Sequence, residues 1–432
     1  MSNIKYKIRT FLNELKKEHS LYNFIANNNS NNKVFYGGPY WNDEEIISAI
    51  DALLTGKWLT YGENVHKFEI EFSKKFNLKH SLMVNSGSSA NLVMLAALKK
   101  KFDWKDRDEI IVSAVGFPTT IAPIIQNNLK PVFLDIELDT LNFDISLIQK
   151  KITKRTRAIF VSPVLGNPPE MSDVIYQCQK NDMLCVLDNC DSLGTKWENH
   201  YLSEFAITSS CSFYPAHHIT TGEGGMISTN DKEIIEIARS LVNWGRDCYC
   251  VGAANLLSNG TCKNRFSNWL APEYNDVIDH KYIFTNVGYN LKPLDLQGAI
   301  GLEQLKKFDE IHSKRRQNKQ TIQKLFEKYV SGIRVIDEQE QCKVSWFGVP
   351  IVCDTKEIKS SLVAWLEQSG IQTRNYFAGN ILLHPAYKHL GDWKKYQNAN
   401  RVLDTVFFVG CTPQYTQKEL SIIEDVLRRY VK

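Results

Sequence analysis

The sequence predicts an α/β protein built on a mostly parallel sheet, with a smaller α+β domain at its C-terminal end. Three observations predict this. Between residues 81 and 228, short apolar runs recur, each followed by a turn and then a helical or polar stretch. Alternating strands and helices imply largely parallel pairing, because a parallel crossover needs the length of a helix and leaves both faces of the sheet covered. Past residue 300 the pattern changes to a long helix, strands near Val344–Val352 and three further helical segments. A hydrophobic share of 43% and a charged share of 23% in 432 residues can fill two such cores, which excludes a disordered or collagen-like chain.

In chain order, Ile4, Ile8, Phe11, Leu12 and Leu15 stand at helical spacing. They predict an amphipathic helix, joined through the Asn27–Asn32 polar run to the rest, as an extension over residues 1–34. Asn42 with Glu45 three residues on reads as a capping box, and the helix behind it stops at Gly56. Strands are then expected at Ser81–Val84, Glu109–Ser113, Pro131–Asp135, Ala158–Ser162, Met183–Asp188, Ala206–Ser212 and Met226–Ser228, within a large domain over residues 35–300. A helix from Ala299 to about Lys328 opens the small domain, residues 301–432. Helices follow at Ile358–Ser369, Asn398–Asp404 and Gln417–Val431.

Charge narrows the function. Against 48 acidic residues, 52 Lys and Arg leave +4, which is not the balance of a nucleic-acid binder. No apolar stretch reaches the roughly eighteen residues of a membrane span, and Met1–Lys7 lacks the apolar core of a signal peptide. These features predict a cytoplasmic protein with no membrane or nucleic-acid partner. Ten cysteines in a reducing compartment then need an explanation other than disulfides.

In an α/β sheet the ligand sits beyond the carboxyl ends of the strands, and the chemistry-bearing residues fall there. The first strand runs into Asn85-Ser86-Gly87-Ser88-Ser89-Ala90 and a helix, a turn whose free N–H groups and hydroxyls suit a phosphate. The next ends at Gly116-Phe117-Pro118. Another ends at Asp188-Asn189-Cys190-Asp191, where an acid can cap a helix or bond a protonated ring nitrogen. The segment Ser212-Phe213-Tyr214-Pro215-Ala216-His217-His218, returning through Gly222, Gly224 and Gly225, gathers a hydroxyl, a phenol and two imidazoles.

These motifs, with Gly56–Gly62, Gly166-Asn167-Pro168, Asn286–Asn290 and Gln297–Leu305, resemble the DegT/DnrJ/EryC1/StrS family of sugar aminotransferases over roughly residues 35 to 430. The resemblance implies a fold-type-I scaffold for a pyridoxal-phosphate type cofactor, and a homodimer. It implies that Gly87, Ser88 and Ser212 hold the cofactor phosphate, that Phe117 stacks on the ring and that Asp188 pairs with the pyridine nitrogen. Asn243 would reach the phosphate of the neighbouring subunit's cofactor. One departure decides the chemistry: where the aminotransferases carry the lysine that binds the cofactor covalently, this chain has His217, and Ser212–Gly225 contains no lysine.

That substitution is similar to the CDP-4-keto-6-deoxyglucose-3-dehydrases, which share the Tyr-Pro-Ala-His-His stretch. The implied enzyme holds pyridoxamine phosphate without a covalent link and removes the carbon-3 hydroxyl of a nucleotide-linked 4-keto-6-deoxyhexose, toward the 3,6-dideoxysugars of surface polysaccharide. His217 is its base, Tyr214 and Asp191 are supporting site residues, and His218 is structural. In those dehydrases a 2Fe-2S cluster is held by one Cys beside the cofactor aspartate, a Cys-x-Cys pair and a fourth Cys. Cys190, Cys248, Cys250 and Cys262 match that order, which implies a separate flavin and iron-sulfur reductase as partner. Cys178, Cys185, Cys211, Cys342, Cys353 and Cys411 read as packing. The rival readings are a cluster-free, glutamate-using dehydratase of a GDP-linked sugar, a non-catalytic relative, and an aminotransferase with an unusual lysine.

Overall fold

The computed structural model describes residues 3–18, 33–56, 58–248 and 264–430. Helix α1 (Asn3–Glu18) lays Ile8 and Leu12 against Ile47 of helix α2 (Asp43–Thr55). Pairs Lys5–Asp51, Arg9–Glu44 and Lys16–Asp43 flank that contact. Phe11, expected on the buried stripe, faces outward instead. Ile4, Ile8, Leu12 and Leu15 already complete the stripe at i, i+4, i+8 and i+11, and residue 11 falls at its edge. The capping box is present: the Asn42 N–H donates to Glu45 Oε2 at 2.9 Å, and the Glu44 N–H donates to Asn42 Oδ1 at 2.9 Å.

After α3 (Glu63–Lys75) come β1 (His80–Val84), α4 (Gly87–Lys101), β2 (Glu109–Ser113), α5 (Pro118–Gln126), β3 (Lys130–Leu134) and β4 (Thr156–Val161). They are followed by α6 (Met171–Lys180), β5 (Leu184–Asp188), β6 (Thr208–Ser212), β7 (Gly225–Thr229) and α7 (Lys232–Val242). The seven strands form one sheet in the order β1-β7-β6-β5-β4-β2-β3. Consecutive residues of β4 to β7 are buried, so both faces are covered, as parallel sheets require.

One strand departs from the parallel expectation: β7 runs antiparallel to both β1 and β6. The chain returns from β6 through residues 213–224 with no helix, and a return without a crossover can only pair antiparallel. The His217 loop is therefore a long hairpin connection at the carboxyl end of β6.

The helix expected from Ala299 to Lys328 is two, α8 (Asp295–Lys306) and α9 (Phe308–Tyr329). Lys307 at φ −91°, ψ 0° breaks it while its ammonium reaches Glu45 and the Tyr40 carbonyl. The bend lets α8 pack on α2 and α3 while α9 packs on Gln417–Arg428. A second, antiparallel sheet follows, in the order β8 (Ile333–Val335), β9 (Gly348–Cys353), β11 (Val406–Gly410), β10 (Thr373–Asn375). Its strands β8, β10 and β11 had no sequence prediction. The helices Lys356–Gln368, Gln397–Thr405 and Gln417–Arg428 match theirs closely. One buried apolar cluster runs through both sheets, and it includes all six cysteines read as packing. No helix among the described residues is long and apolar enough to cross a membrane.

Candidate active site

Strands β1, β2, β5 and β6 deliver their ends to one cavity of about 810 Å³, closed on the far side by the small sheet. Gly87, Ser88, Phe117, Asp188, Cys190, Asp191, Ser212, Tyr214 and His217 all line it. The topology explains why: these strands point the same way, so residues far apart in sequence meet at one edge.

At the cup end, Gly87 and Ser88 open α4 behind the N-cap Ser86, whose Oγ accepts from the Ser89 N–H at 3.1 Å. The first N–H groups of a helix have no acceptor within it, and the helix dipole favours an anion there. The Ser212 hydroxyl accepts from the Tyr214 N–H at 3.3 Å, which leaves its own proton to give. A Cβ on Gly87 would stand 2.5 Å from Ser212 Cβ and 3.0 Å from Cys190 Sγ, so only glycine lets helix and strand approach this closely.

Asp188 sits on the cavity floor, 6% exposed. Asn91 Nδ2 and Thr120 Oγ1 donate to its Oδ2 at 2.8 and 2.7 Å, and Ser210 Oγ and the Cys190 N–H donate to Oδ1 at 3.3 Å each. Four donors thus point at its two oxygens and fix the carboxyl group on the floor, where an oxygen can also accept from a ring N–H. Phe117 stands 51% exposed at the start of α5, edge-on to Phe377 with ring centres 5.6 Å apart. A cup of N–H groups and hydroxyls, a carboxylate floor and an exposed aromatic wall fit a pyridoxal-phosphate type cofactor. No lysine lines the cavity among the described residues.

His217 Nδ1 lies 2.6 Å from the Cys190 carbonyl oxygen. A carbonyl only accepts, so Nδ1 carries the ring proton and Nε2 keeps the lone pair of a base. Burial, outweighing the Cys190 carbonyl, pushes the imidazole down to about 4, so it stays neutral at working pH. Asp191 Oδ1 is 3.8 Å from the same Nδ1 and its Oδ2 accepts from the Leu165 N–H at 3.3 Å. Burial, and then the charge of Asp188, raise its carboxyl to about 7. Tyr214, half-exposed, has its ring centre 6.2 Å from that of His217. His218 points away: it is buried with Nε2 3.0 Å from the Ser345 carbonyl, a structural placement.

Two expected residues lie elsewhere. Asn243 is buried at the end of α7, donating through Nδ2 to the Arg239 carbonyl at 3.0 Å, and does not line this cavity. Cys248 is buried away from it as well. Cys250 and Cys262 lie outside the described residues, and no cluster of three or more His, Cys, Asp or Glu suited to a metal occurs among the described ones.

The sequence reading missed the wall supplied by the small sheet and the segment before α2. Tyr36, Phe347, Arg374, Phe377, His384 and Phe408 all line the cavity. The Ala378 and Ile381 N–H groups donate to the carbonyls of Gly116 and Ala114 at 3.3 and 2.9 Å, which fastens this wall to the end of β2. A usable signal was Tyr376-Phe377-Ala378-Gly379, aromatic residues beside a glycine turn much like Gly116-Phe117-Pro118. Asn91 and Thr120 had none, since a polar residue inside an apolar helix shows its partner only in three dimensions.

The chain is 36% identical over 409 residues to dTDP-4-dehydro-2,6-dideoxy-D-glucose 3-dehydratase of Saccharopolyspora spinosa, covering 91% of this chain and 86% of that protein. It is 36% identical over 392 residues to a lipopolysaccharide biosynthesis protein of Salmonella typhimurium, covering 88% and 87%. The structure of E. coli GDP-4-keto-6-deoxy-D-mannose-3-dehydratase with bound hydrated PLP superposes with a TM-score of 0.76 at 31% identity, over 91% of this chain and 100% of that one. The fold is thus the aminotransferase scaffold, as the motifs implied. Residues 41–428 match the DegT/DnrJ/EryC1/StrS aminotransferase family, and the chain belongs to it.

Proposed function

We propose that the protein is a pyridoxamine-phosphate-dependent 3-dehydratase of a nucleotide-linked 4-keto-6-deoxyhexose, acting in the synthesis of surface-polysaccharide sugars. One observation carries this reading: a neutral imidazole of fixed tautomer, His217, faces a cavity that no lysine lines among the described residues and whose floor is Asp188. The relatives named above, two 3-dehydratases and a lipopolysaccharide protein, support it.

The bound cofactor supplies a primary amine for the sugar ketone and a protonated ring that draws electrons. The chain does the rest. With the cofactor bound, the α4 N-terminus and Ser212 would hold its phosphate, Phe117 would cover its ring, and Asp188 would pair with its ring nitrogen. His217 Nε2 would serve as the base, taking a proton from the cofactor's benzylic carbon and giving one to the departing carbon-3 hydroxyl. The aromatic wall of Phe347, Phe377 and Phe408 limits water.

Arg374 is the one lysine or arginine lining the cavity among the described residues, and its guanidinium lies over the Tyr36 ring at 4.1 Å. The cofactor phosphate is met by neutral donors, which leaves this cation for the substrate diphosphate. Arg374→Ala is therefore expected to raise KM for the nucleotide sugar by roughly 10- to 100-fold, the worth of a charge-assisted hydrogen bond, with kcat changed less than about threefold. Steady-state kinetics measure the split.

The nucleotide expected from the resemblance is CDP, whereas two relatives are named for dTDP- and GDP-linked sugars. Incubation with CDP-, dTDP- and GDP-linked 4-keto-6-deoxyhexoses, followed by mass spectrometry for loss of the carbon-3 oxygen, tests the proposal. No loss from any of the three overturns it. The proposal extends to a homodimer in which Asn243 serves the neighbouring site, to a cytoplasmic location, and to a 2Fe-2S cluster on Cys190, Cys248, Cys250 and Cys262 fed by a separate reductase. Visible absorbance of anaerobically purified protein supports the cluster; colourless protein that turns over with glutamate supports the cluster-free form instead.

A further inference from the structure

Arg315 on α9 is 1% exposed, yet it makes no salt bridge to any carboxylate among the described residues. Three hydrogen bonds go to carbonyl oxygens, and the Cys411 side chain also lies within its reach. Nη1 donates to Phe347 at 3.0 Å, and Nη2 donates to Ala216 at 3.0 Å and His217 at 3.1 Å. A sealed guanidinium with no carboxylate in contact is costly, even with the Asp191 carboxyl near enough to feel its charge, and neutral donors would satisfy carbonyls at lower cost. Its three partners are also specific: two flank the peptide that carries the catalytic imidazole, and the third belongs to a ring 5.2 Å from that imidazole. The other end of the loop is held from α8, where Gln304 Oε1 accepts from the Thr220 N–H at 3.1 Å.

We propose that Arg315 is a positioning residue for the reaction: clamped on the carbonyls of Ala216, His217 and Phe347, it fixes where the His217 imidazole stands. The inference rests on the proposed function, in which His217 is the base. An imidazole, unlike a covalently bound lysine, has no bond to the cofactor, so the loop backbone and noncovalent contacts such as the Cys190 carbonyl set its place. A misplacement of about 1 Å in a reacting group costs up to about 100-fold in rate.

Arg315→Gln and Arg315→Lys test this in the full-length, cofactor-loaded protein, with kcat, KM and the 15N imidazole spectrum as readouts. For folded R315Q we expect kcat to fall by roughly 30- to 100-fold with KM nearly unchanged. R315K can still donate to a carbonyl, so its kcat should fall less. Should R315Q not fold, R315K decides: lower kcat with a mixed His217 tautomer supports the proposal, and parental kcat with a parental spectrum overturns it. In folded R315Q, kcat within about twofold of the parent, or a parental imidazole spectrum, also overturns it. A His217→Asn variant that stays active sinks the functional reading instead, which keeps the two failures apart.

Discussion

His217→Asn is expected to lower dehydration by at least about 10³-fold, near the upper range for loss of a general base, while cofactor binding and the fold persist. The carboxamide can still donate to the Cys190 carbonyl, as Nδ1 does at 2.6 Å, so the loop should keep its shape. What it lacks is a basic nitrogen at the Nε2 position. Proton exchange at the cofactor's benzylic carbon, followed by NMR in deuterated buffer with substrate present, should vanish with turnover; exchange at the parental rate would remove His217 from the mechanism. In the parent the pH profile adds a second check. A base works only when unprotonated, so its rate falls as pH drops through its pKa. With burial pushing His217 down to about 4, turnover should hold through weakly acid pH, where an ordinary imidazole at about 6.5 would already be lost.

The second large effect is expected at Asp188. Asp188→Asn should reduce kcat by roughly 10²- to 10³-fold, because the group that stabilises charge on the cofactor ring loses its own charge. Stability should fall as well. Both carboxylate oxygens accept from two donors, Asn91 and Thr120 on one side, Ser210 and the Cys190 N–H on the other. An amide sets its NH₂ against one pair, leaving donors facing donors at a cost of about 1–3 kcal/mol. Thermal unfolding and single-turnover kinetics measure the two losses. A variant that turns over normally would show that the ring nitrogen needs no charged partner here.

Much of the site was legible because its residues sit where strands end. Gly87, Phe117, Asp188 and Ser212 follow short apolar runs, and a run followed by a glycine or acid marks both the strand and its carboxyl edge. His217 was legible as a replacement within a dense motif. The aromatic wall and Arg374 were not, because the short strands β8, β10 and β11 carry little periodicity; β10, with Arg374 on it, is only three residues long. The break at Lys307 was equally hidden, since helical spacing continues across it and only the pull toward Glu45 and Tyr40 reveals the bend.

By itself the sequence determined that this chain is an α/β protein with a glycine- and serine-rich turn, an acid and an imidazole at its strand ends, the imidazole standing where the resemblance implies a lysine. Those are properties of residue type and order along strands and turns. Only the tertiary structure decided which nitrogen of that imidazole keeps its lone pair, which donors surround Asp188, and which cation faces the cavity. A tautomer, a hydrogen-bond shell and a local field depend on atoms brought together from distant segments, such as Cys190 beside His217 or Arg315 beneath it. No spacing along the chain encodes those distances.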